Sequence, residues 1–520
     1  MSQHFPGRRL SYVRLSILFA VLVLVVGAGV VAWRSAADAR SAAASPSLFS
    51  GYVDVTATPR YAFEQPVGDD AKSVVLSFVV ADNKDGCAPS WGTFYSLDTA
   101  ASGLDLDRRI ARLRQLGGDV SVSFGGQSNT ELATSCTDPA KLQAAYSSVV
   151  DRYNLATIDL DVEGTALSDQ EGTKRRAAAI AAIQKQRRDA GKPLAVWLTL
   201  PVAPTGLTAD GTAAVTHMLG AGVDLAGVNI MTMDYGASRV PGQSMLEATT
   251  AAAEATHEQL GRVYRAAGQD LGNQTLWRKI GLTPMIGQND VVADVFTVAD
   301  AQSLSSFAQD KGVGRVSMWS LNRDAECGPN YPNLTVVSDA CSGVDQGQSR
   351  FAKILSGGLA STTAAPTLPS TEDPTSTARP VVDDPATSPY QIWSAEATYV
   401  QGDRTVWQGS VYEAKWWTKN NVPNAPVSEG SQTPWKLIGP VLPGDKPVPE
   451  VTVPAGTYPA WVAGTVYRKG DRVMLDGHVF EAKWWVQGDS PAAALQGSSG
   501  SAWMKLSNDE ITKLLQSPPA

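Results

Sequence analysis

The segment Thr157-Ile-Asp-Leu-Asp-Val-Glu163 alternates apolar and acidic residues without a break. A period of two belongs to a β-strand, so Ile158, Leu160 and Val162 share one face and Asp159, Asp161 and Glu163 share the other. Along that face the carboxylates stand about 6.6 to 7 Å apart, each from the next. Burying such a row is costly unless the acids are hydrogen-bonded or share protons. Closely spaced carboxyls do not all ionise, and at least one is driven to a higher pKa. A carboxyl that stays protonated near neutral pH is a general acid. An exposed acidic edge strand and a calcium loop are the competing readings. The continuous apolar face and the strand-ending Gly164-Thr165 favour burial with a site opening at Glu163.

The surrounding chain supplies the frame. Strand-like apolar runs recur at Val74–Val80, Val120–Phe124, Thr157–Val162, Ala195–Leu200, Gly227–Met231, Ile280–Met285 and Val316–Trp319, with helix-like stretches such as Lys174–Arg188 between them. Strands alternating with helices predict a parallel (β/α)8 TIM barrel, whose active site lies at the C-terminal strand ends. The eighth strand is expected between Trp91 and Asp107.

The chain of 520 residues is modular. A Ser/Thr/Pro-rich linker is read over 358–388 and a Pro-rich one over 441–459. They separate a barrel at 50–357, a first small unit at 389–440 and a second at 460–508, with a tail at 509–520. The small units are an internal repeat. Trp393, Tyr399, Asp403, Glu413, Trp416, Trp417 and Trp435 each recur 68 positions later as Trp461, Tyr467, Asp471, Glu481, Trp484, Trp485 and Trp503. Short β-type runs with turn signals between them predict two compact all-β modules. Units of about 50 residues bury few large aromatics, so some tryptophans must be exposed. Strand alternation would expose one member of each adjacent pair, Trp416-Trp417 and Trp484-Trp485.

Residues 1–49 precede the barrel. Arg8, Arg9 and Arg14 stand before an uncharged stretch from Leu15 to Trp33, long enough to span a bilayer or to serve as a signal peptide, so the rest of the chain is expected outside the plasma membrane, secreted or tethered by residues 15–33. Cys87, Cys136, Cys327 and Cys341 all fall in that exported part, where disulfides form. The short loop favours Cys327 with Cys341 and leaves Cys87 with Cys136, one of three connectivities. No CxxC is present and no histidine adjoins a cysteine, so neither metal nor cofactor is expected. A net charge of -8 excludes a basic surface for nucleic acid. A monomer is expected.

On these residues the large domain resembles the family 18 glycoside hydrolases, whose fourth strand carries DxxDxDxE. The last three acids match as Asp159, Asp161 and Glu163, while Ala156 replaces the first. Ser123-Phe124-Gly125-Gly126 matches the family's SxGG, and Met231-Thr232-Met233-Asp234-Tyr235 aligns with MxYD through its Asp but not its Tyr. Met318-Trp319-Ser320 is similar to the strand that ends in the tryptophan floor of the sugar site. The wording looks like the bacterial and archaeal chitinase branch. The resemblance implies a substrate-assisted, retaining mechanism, an exception to the two-carboxylate scheme. Glu163 is then the acid, Asp161 orients the substrate's acetamido group, and Asp159 shares a proton with Asp161. Ser123, Met231, Asp234, Tyr235 and Trp319 bind substrate, with Tyr235 holding the acetamido group. The repeats resemble carbohydrate-binding families 5 and 12, whose AKWW phrase implies that both tryptophans of each pair contact chitin. Chitin and N-acetylglucosamine oligosaccharides are the implied partners. A non-catalytic chitin-binding lectin and an endo-β-N-acetylglucosaminidase acting on glycans are the alternatives.

Overall fold

The computed structural model describes residues 47–331, 333–359, 382–425, 432–447, 456–495 and 501–506, with residues 16, 38–40, 42, 453–454, 510–511 and 514–515 besides. The apolar stretch 15–33 lies outside them; no helix of the described residues is long and apolar enough to cross a membrane. The chain divides into two units, 1–368 and 369–520.

The first unit is a closed parallel barrel. Its strands are β1 (Leu48–Phe49 and Gly51–Asp54, broken at Ser50), β2 (Ser73–Ala81), β3 (Asp119–Gly125), β4 (Thr157–Asp161), β5 (Ala195–Ala203), β6 (Leu225–Met231), β7 (Ile280–Thr283) and β8 (Arg315–Val316). Each pairs in parallel with the next. Leu48 and Phe49 pair with Arg315 and Val316, which closes the ring. From β2 onward the crossovers are helical: α1 (Leu106–Gln115), α2 (Pro139–Arg152), α3 (Gln170–Asp189), α4 (Ala209–Gly220), α5 (Met245–Ala266) and α6 (Val298–Lys311), while β1 leads to β2 through a loop with one 3-10 turn, Asp69–Ala71. Their starts follow local chemistry. Asp138 caps α2 through the Ala140 and Lys141 amides, and Ser244 with Glu247 forms a capping box on α5. One aliphatic core, including Ile158, Leu160 and Val162, fills the layer between strands and helices.

The missing strand is β1, at the start of the domain and not between Trp91 and Asp107. Its apolar run is split by Ser50-Gly51 and starts before the expected boundary at residue 50, which hides its period. Residues 91–107 instead contribute to an antiparallel hairpin, Pro89–Trp91 with Tyr95–Ser96, that folds back on β2, and to the helix Leu97–Gly103.

Both expected disulfides are present, Cys87–Cys136 and Cys327–Cys341. The first ties the loop after β2 to the loop after β3, and the second closes a loop after β8. All lie beyond C-terminal strand ends, where cross-links restrict the loops around a site.

In the second unit each repeat builds the same small fold. Arg404–Trp407, Ser410–Ala414 and Trp435–Pro440 form one three-stranded sheet; Arg472–Leu475, His478–Ala482 and Trp503–Lys505 form its counterpart. Tyr399 meets Trp435 edge-on at 5.0 Å, and Tyr467 meets Trp503 at 5.0 Å. Residues from the expected linkers and tail take part in this packing. Asp383 accepts from the amides of Gln408 and Gly409, and Val453 and Ile511 are buried with Val479 and Leu506.

The SFGG turn is required by packing. At Gly125 (φ 102°) a Cβ would lie 2.1 Å from the Asp161 carbonyl oxygen, and at Gly126 (φ 85°) it would meet the Phe78 ring at 2.9 Å. Only glycine takes both the conformation and the space. Gly125→Ala is expected to cost about 3 kcal/mol of stability, since it combines a strained φ with a backbone clash; a thermal melt matching wild type would contradict this.

Candidate active site

Asp159 and Asp161 lie on the lumen side of β4 as alternation requires, and with Glu163 just past the strand's end they meet three different environments. Asp159 is fully buried. Its Oδ2 accepts from Tyr52 Oη at 2.9 Å and Ser123 Oγ at 2.7 Å. Its Oδ1 accepts from Thr199 Oγ1 at 2.8 Å and from the Arg315 guanidinium at 3.0 Å. Asn229 Nδ2 donates in turn to Tyr52 and Thr199, and Thr283 Oγ1 donates to Asn229 Oδ1. Asp159 thus has four donors, and its charge also bears on Asp161.

Asp161 is also buried, and its Oδ1 has no hydrogen-bond partner. Desolvation, with Glu163 and Asp159 nearby, holds its carboxyl well above the usual range, against the opposing pull of Arg315. Glu163, just past the end of β4, is half-buried. Burial, with the Asp234 charge added, lifts its carboxyl to about 7. Asp234 follows β6 in the left-handed region (φ 49°), accepts from the Val291 amide at 2.9 Å, and is itself raised by burial.

Trp319 is half-buried beyond β8 and stacks on Phe78 at 5.4 Å and 22°, with Tyr52 6.1 Å away. Phe78, Trp319 and Tyr52 thus make a continuous aromatic layer beside the acids. Met231 is half-buried at the end of β6.

Two of the expected substrate contacts lie in the interior. Ser123 is wholly buried and spends its hydroxyl on Asp159, so it positions an acid. Tyr235 is 5% exposed and part of the core, its hydroxyl set against Thr249 of α5 without a hydrogen bond of good geometry. The residue directly before Asp234 is Met233, half-buried, where the resembling motif has its tyrosine.

Residues missed in the sequence are Tyr52, Phe78, Thr199, Asn229 and Arg315. A signal existed for three of them. Thr199, Asn229 and Arg315 are polar residues within otherwise apolar strands, the pattern that exposed the acids of β4.

In the repeats both members of each tryptophan pair are exposed: Trp416 44%, Trp417 46%, Trp484 48% and Trp485 60%. The alternation argument fails because the pairs lie in the bends after Ser410–Ala414 and His478–Ala482, where strand periodicity has ended. Lys415 lies over the Trp416 ring at 4.8 Å, and Lys483 over Trp484 at 4.8 Å.

Comparison with known proteins agrees with this division. Residues 392–436 and 460–503 each match the model of Carbohydrate-binding module family 5/12. The chain is 38% identical over 261 residues to a probable bifunctional chitinase/lysozyme of Escherichia coli K12, covering 49% of this chain and 28% of that protein. It is 36% identical over 255 residues to endochitinase 11 of Metarhizium anisopliae, covering 48% and 47%. The chain therefore spans less than half the length of either relative. The catalytic domain of the hyperthermophilic chitinase of Pyrococcus furiosus superposes with a TM-score of 0.51 at 27% identity, over 60% of this chain and 94% of that domain. The barrel is similar to that chitinase catalytic domain, and the two later segments match the family 5/12 module model.

The raised carboxyl of Glu163 has a consequence for stability. Folded, the group keeps its proton to about pH 7; unfolded, it releases it near pH ~4.3. The folded state binds the extra proton across that window, so this group's contribution to stability falls as pH rises through it. Glu163→Gln is expected to melt with wild type at about pH 4 and above it at about pH 8, the gap opening between ~4.3 and 7. A gap independent of pH would show that Glu163 ionises normally.

Proposed function

We propose that this chain is an extracellular chitinase that hydrolyses β-1,4 bonds between N-acetylglucosamine units, held on insoluble chitin by its two modules. The observation that carries the reading is Glu163: a half-buried carboxyl at the C-terminal end of a barrel strand, lifted to about 7 and set beside Asp161. Glu163 protonates the leaving glycosidic oxygen. The substrate's own 2-acetamido carbonyl oxygen attacks the anomeric carbon, so no protein nucleophile is needed. Asp161, with its free Oδ1, takes the acetamido N–H and balances the positive charge of the oxazolinium ion. Water then opens that ring with retention. Trp319, backed by Phe78, offers an apolar plane under the sugar. With Tyr235 in the core, Asp161 bears more of the orientation of the acetamido group.

Electrostatics supports this division of labour. Two coupled acids in one water-poor site titrate as a pair, and the singly protonated form carries both the proton to be given and the charge to be met. The exposed indole pairs supply flat apolar faces suited to pyranose rings, and two such modules raise the effective concentration at a surface.

Glu163→Gln is expected to lose hydrolysis of soluble N-acetylglucosamine oligomers by roughly 10³-fold or more while chitin adsorption stays unchanged. Substantial residual turnover would overturn the reading, and a high-mannose glycoprotein assayed in parallel separates the endo-glycosidase alternative. In wild type, kcat/KM should decline above a pH of about 7 as Glu163 loses its proton. Trp416→Ala with Trp484→Ala should weaken adsorption to crystalline chitin by about tenfold or more and leave turnover of soluble oligomers intact; equal losses on both substrates would exclude a targeting role for the repeats.

A further inference from the structure

Among the described residues of the barrel one aromatic is exposed, Phe94, 75% open to solvent. It lies at the tip of the hairpin Pro89–Trp91 with Tyr95–Ser96, which folds back on the C-terminal half of β2, at the end of the barrel where the site opens. Single exposed apolar side chains are ordinary, but this one is mounted rigidly. Trp91, wholly buried, donates through Nε1 to Tyr153 Oη at 3.0 Å and meets that ring edge-on at 5.9 Å. The Cys87–Cys136 disulfide holds the chain that leads into the hairpin. The turn is tight, with the Phe94 amide donating to the Trp91 carbonyl at 2.9 Å and Gly92 and Thr93 both left-handed at φ 58° and 68°. A β-branched residue is a poor fit for that conformation, so the fold accepts strain to hold the ring in water.

The hairpin is also joined to the aromatic layer of the site. The Gly92 amide donates at 3.0 Å to the carbonyl of Phe78, whose ring stacks on Trp319. A Cβ at Gly92 would lie 3.2 Å from the Phe94 ring and 3.4 Å from Thr56, so Phe94 stands beside the loop after β1. Thr56 Oγ1 donates to Asp54 Oδ1 at 2.7 Å, and the Asp54 backbone exchanges two hydrogen bonds, 2.9 and 3.0 Å, with the side chain of Asn322, close after Trp319. One continuous rim over β8, β1 and β2 thus runs from Trp319 to Phe94.

We propose that Phe94 is a substrate-binding residue that stacks on an N-acetylglucosamine unit on the non-reducing side of the bond cleaved, so that longer chains bind better. The inference rests on the hydrolytic reading above and extends it along the polymer. Glu163 gives its proton to the leaving oxygen, so the departing part of the substrate lies on the side of Glu163 and Asp234, which follow β4 and β6. Trp319 lies under the sugar that reacts. The sugars still attached to that one continue away from Glu163, and in a ring of eight strands the part opposite β4 to β6 is β8, β1 and β2. Phe94 offers them a flat apolar face whose position is fixed beforehand, which spares part of the ordering cost of binding.

The test uses the full chain and a soluble N-acetylglucosamine hexamer labelled at its reducing end. Phe94→Ala is expected to raise KM by about tenfold with kcat within about twofold, the pattern of a lost contact made equally in ground and transition states. It should also move cleavage toward the non-reducing end, so that the labelled fragments become longer. Phe94→Trp, which keeps a ring, should retain the wild-type KM within about twofold and the wild-type fragments. Because the side chain is exposed, Phe94→Ala should melt with wild type. An unchanged KM and fragment pattern in Phe94→Ala, a fall in kcat without a rise in KM, or shorter labelled fragments would each overturn the assignment. A change in sedimentation without one in KM would overturn it too, and give the ring to a second copy of the chain. Wild type that releases no reducing sugar would remove the hydrolytic reading and this inference with it, whereas the other outcomes remove the inference alone.

Discussion

A carboxylate in the middle of a barrel lumen is the constraint around which the rest of the first unit is arranged. An unpaired anion there would cost several kcal/mol even after relaxation. Asp159 avoids that cost because Tyr52, Ser123, Thr199 and Arg315 reach it from β1, β3, β5 and β8, and Asn229 and Thr283 add a second tier from β6 and β7. Seven of the eight strands therefore meet at one charge. A lumen normally filled with aliphatic side chains is replaced at this level by a polar network in which each hydroxyl that donates to Asp159 is oriented by its own partner or strand. Such a network fixes geometry where its members are satisfied; Asp159 has a donor at each acceptor position, while Arg315 Nη2 is buried without a partner among the described residues.

From that fixed point the environment changes along β4 in the direction of solvent. Asp161 sits one pleat higher with no donor on Oδ1, and Glu163 one pleat higher again, half-exposed. The strand and the residue pair just past it thus carry a hydrogen-bonded buried acid, a buried acid with one oxygen unpartnered and a partly exposed acid, produced by depth from three chemically similar side chains. The asymmetry is what a proton-transfer site needs, because acids whose surroundings were equal would not be assigned separate tasks. Gly125 and Gly126 belong to the same arrangement. They let β3 approach the Asp161 carbonyl and the Phe78 ring closely enough that the aromatic layer adjoins the acids.

How much of this was legible in the sequence follows from range. The period of β4, the glycines after β3, six further strands and both disulfide pairs are local patterns, and they were readable. The partners of Asp159 lie 36 to 156 positions away, and nothing local marks them as converging. β1 escaped because four residues, Gly51–Asp54, carry most of it and Ser50-Gly51 interrupts its apolar run. The burial of Tyr235 was hidden for a different reason. A motif fixes which residue follows which, but the left-handed Asp234 turns the chain at that point, and the next side chain enters the layer under α5 instead of the lumen.

The repeats show the same lesson in the opposite direction. Adjacent tryptophans in a strand would face opposite ways, and a unit of this size could then have hidden half of them. The core is instead built by Tyr399 with Trp435 and by Tyr467 with Trp503, whose indole N–H groups reach the Asn421 and Asp489 carbonyls at 2.8 Å. With the interior filled by that pair, the two tryptophans in the following bend have no place inside. Recurrence at the same offset of 68 positions in both modules, with a lysine over the first ring each time, makes their exposure a property of the fold and not of one loop. Apolar surface kept in water twice over, against its tendency to be buried, is what a module needs if its occupant is itself a flat, partly apolar solid.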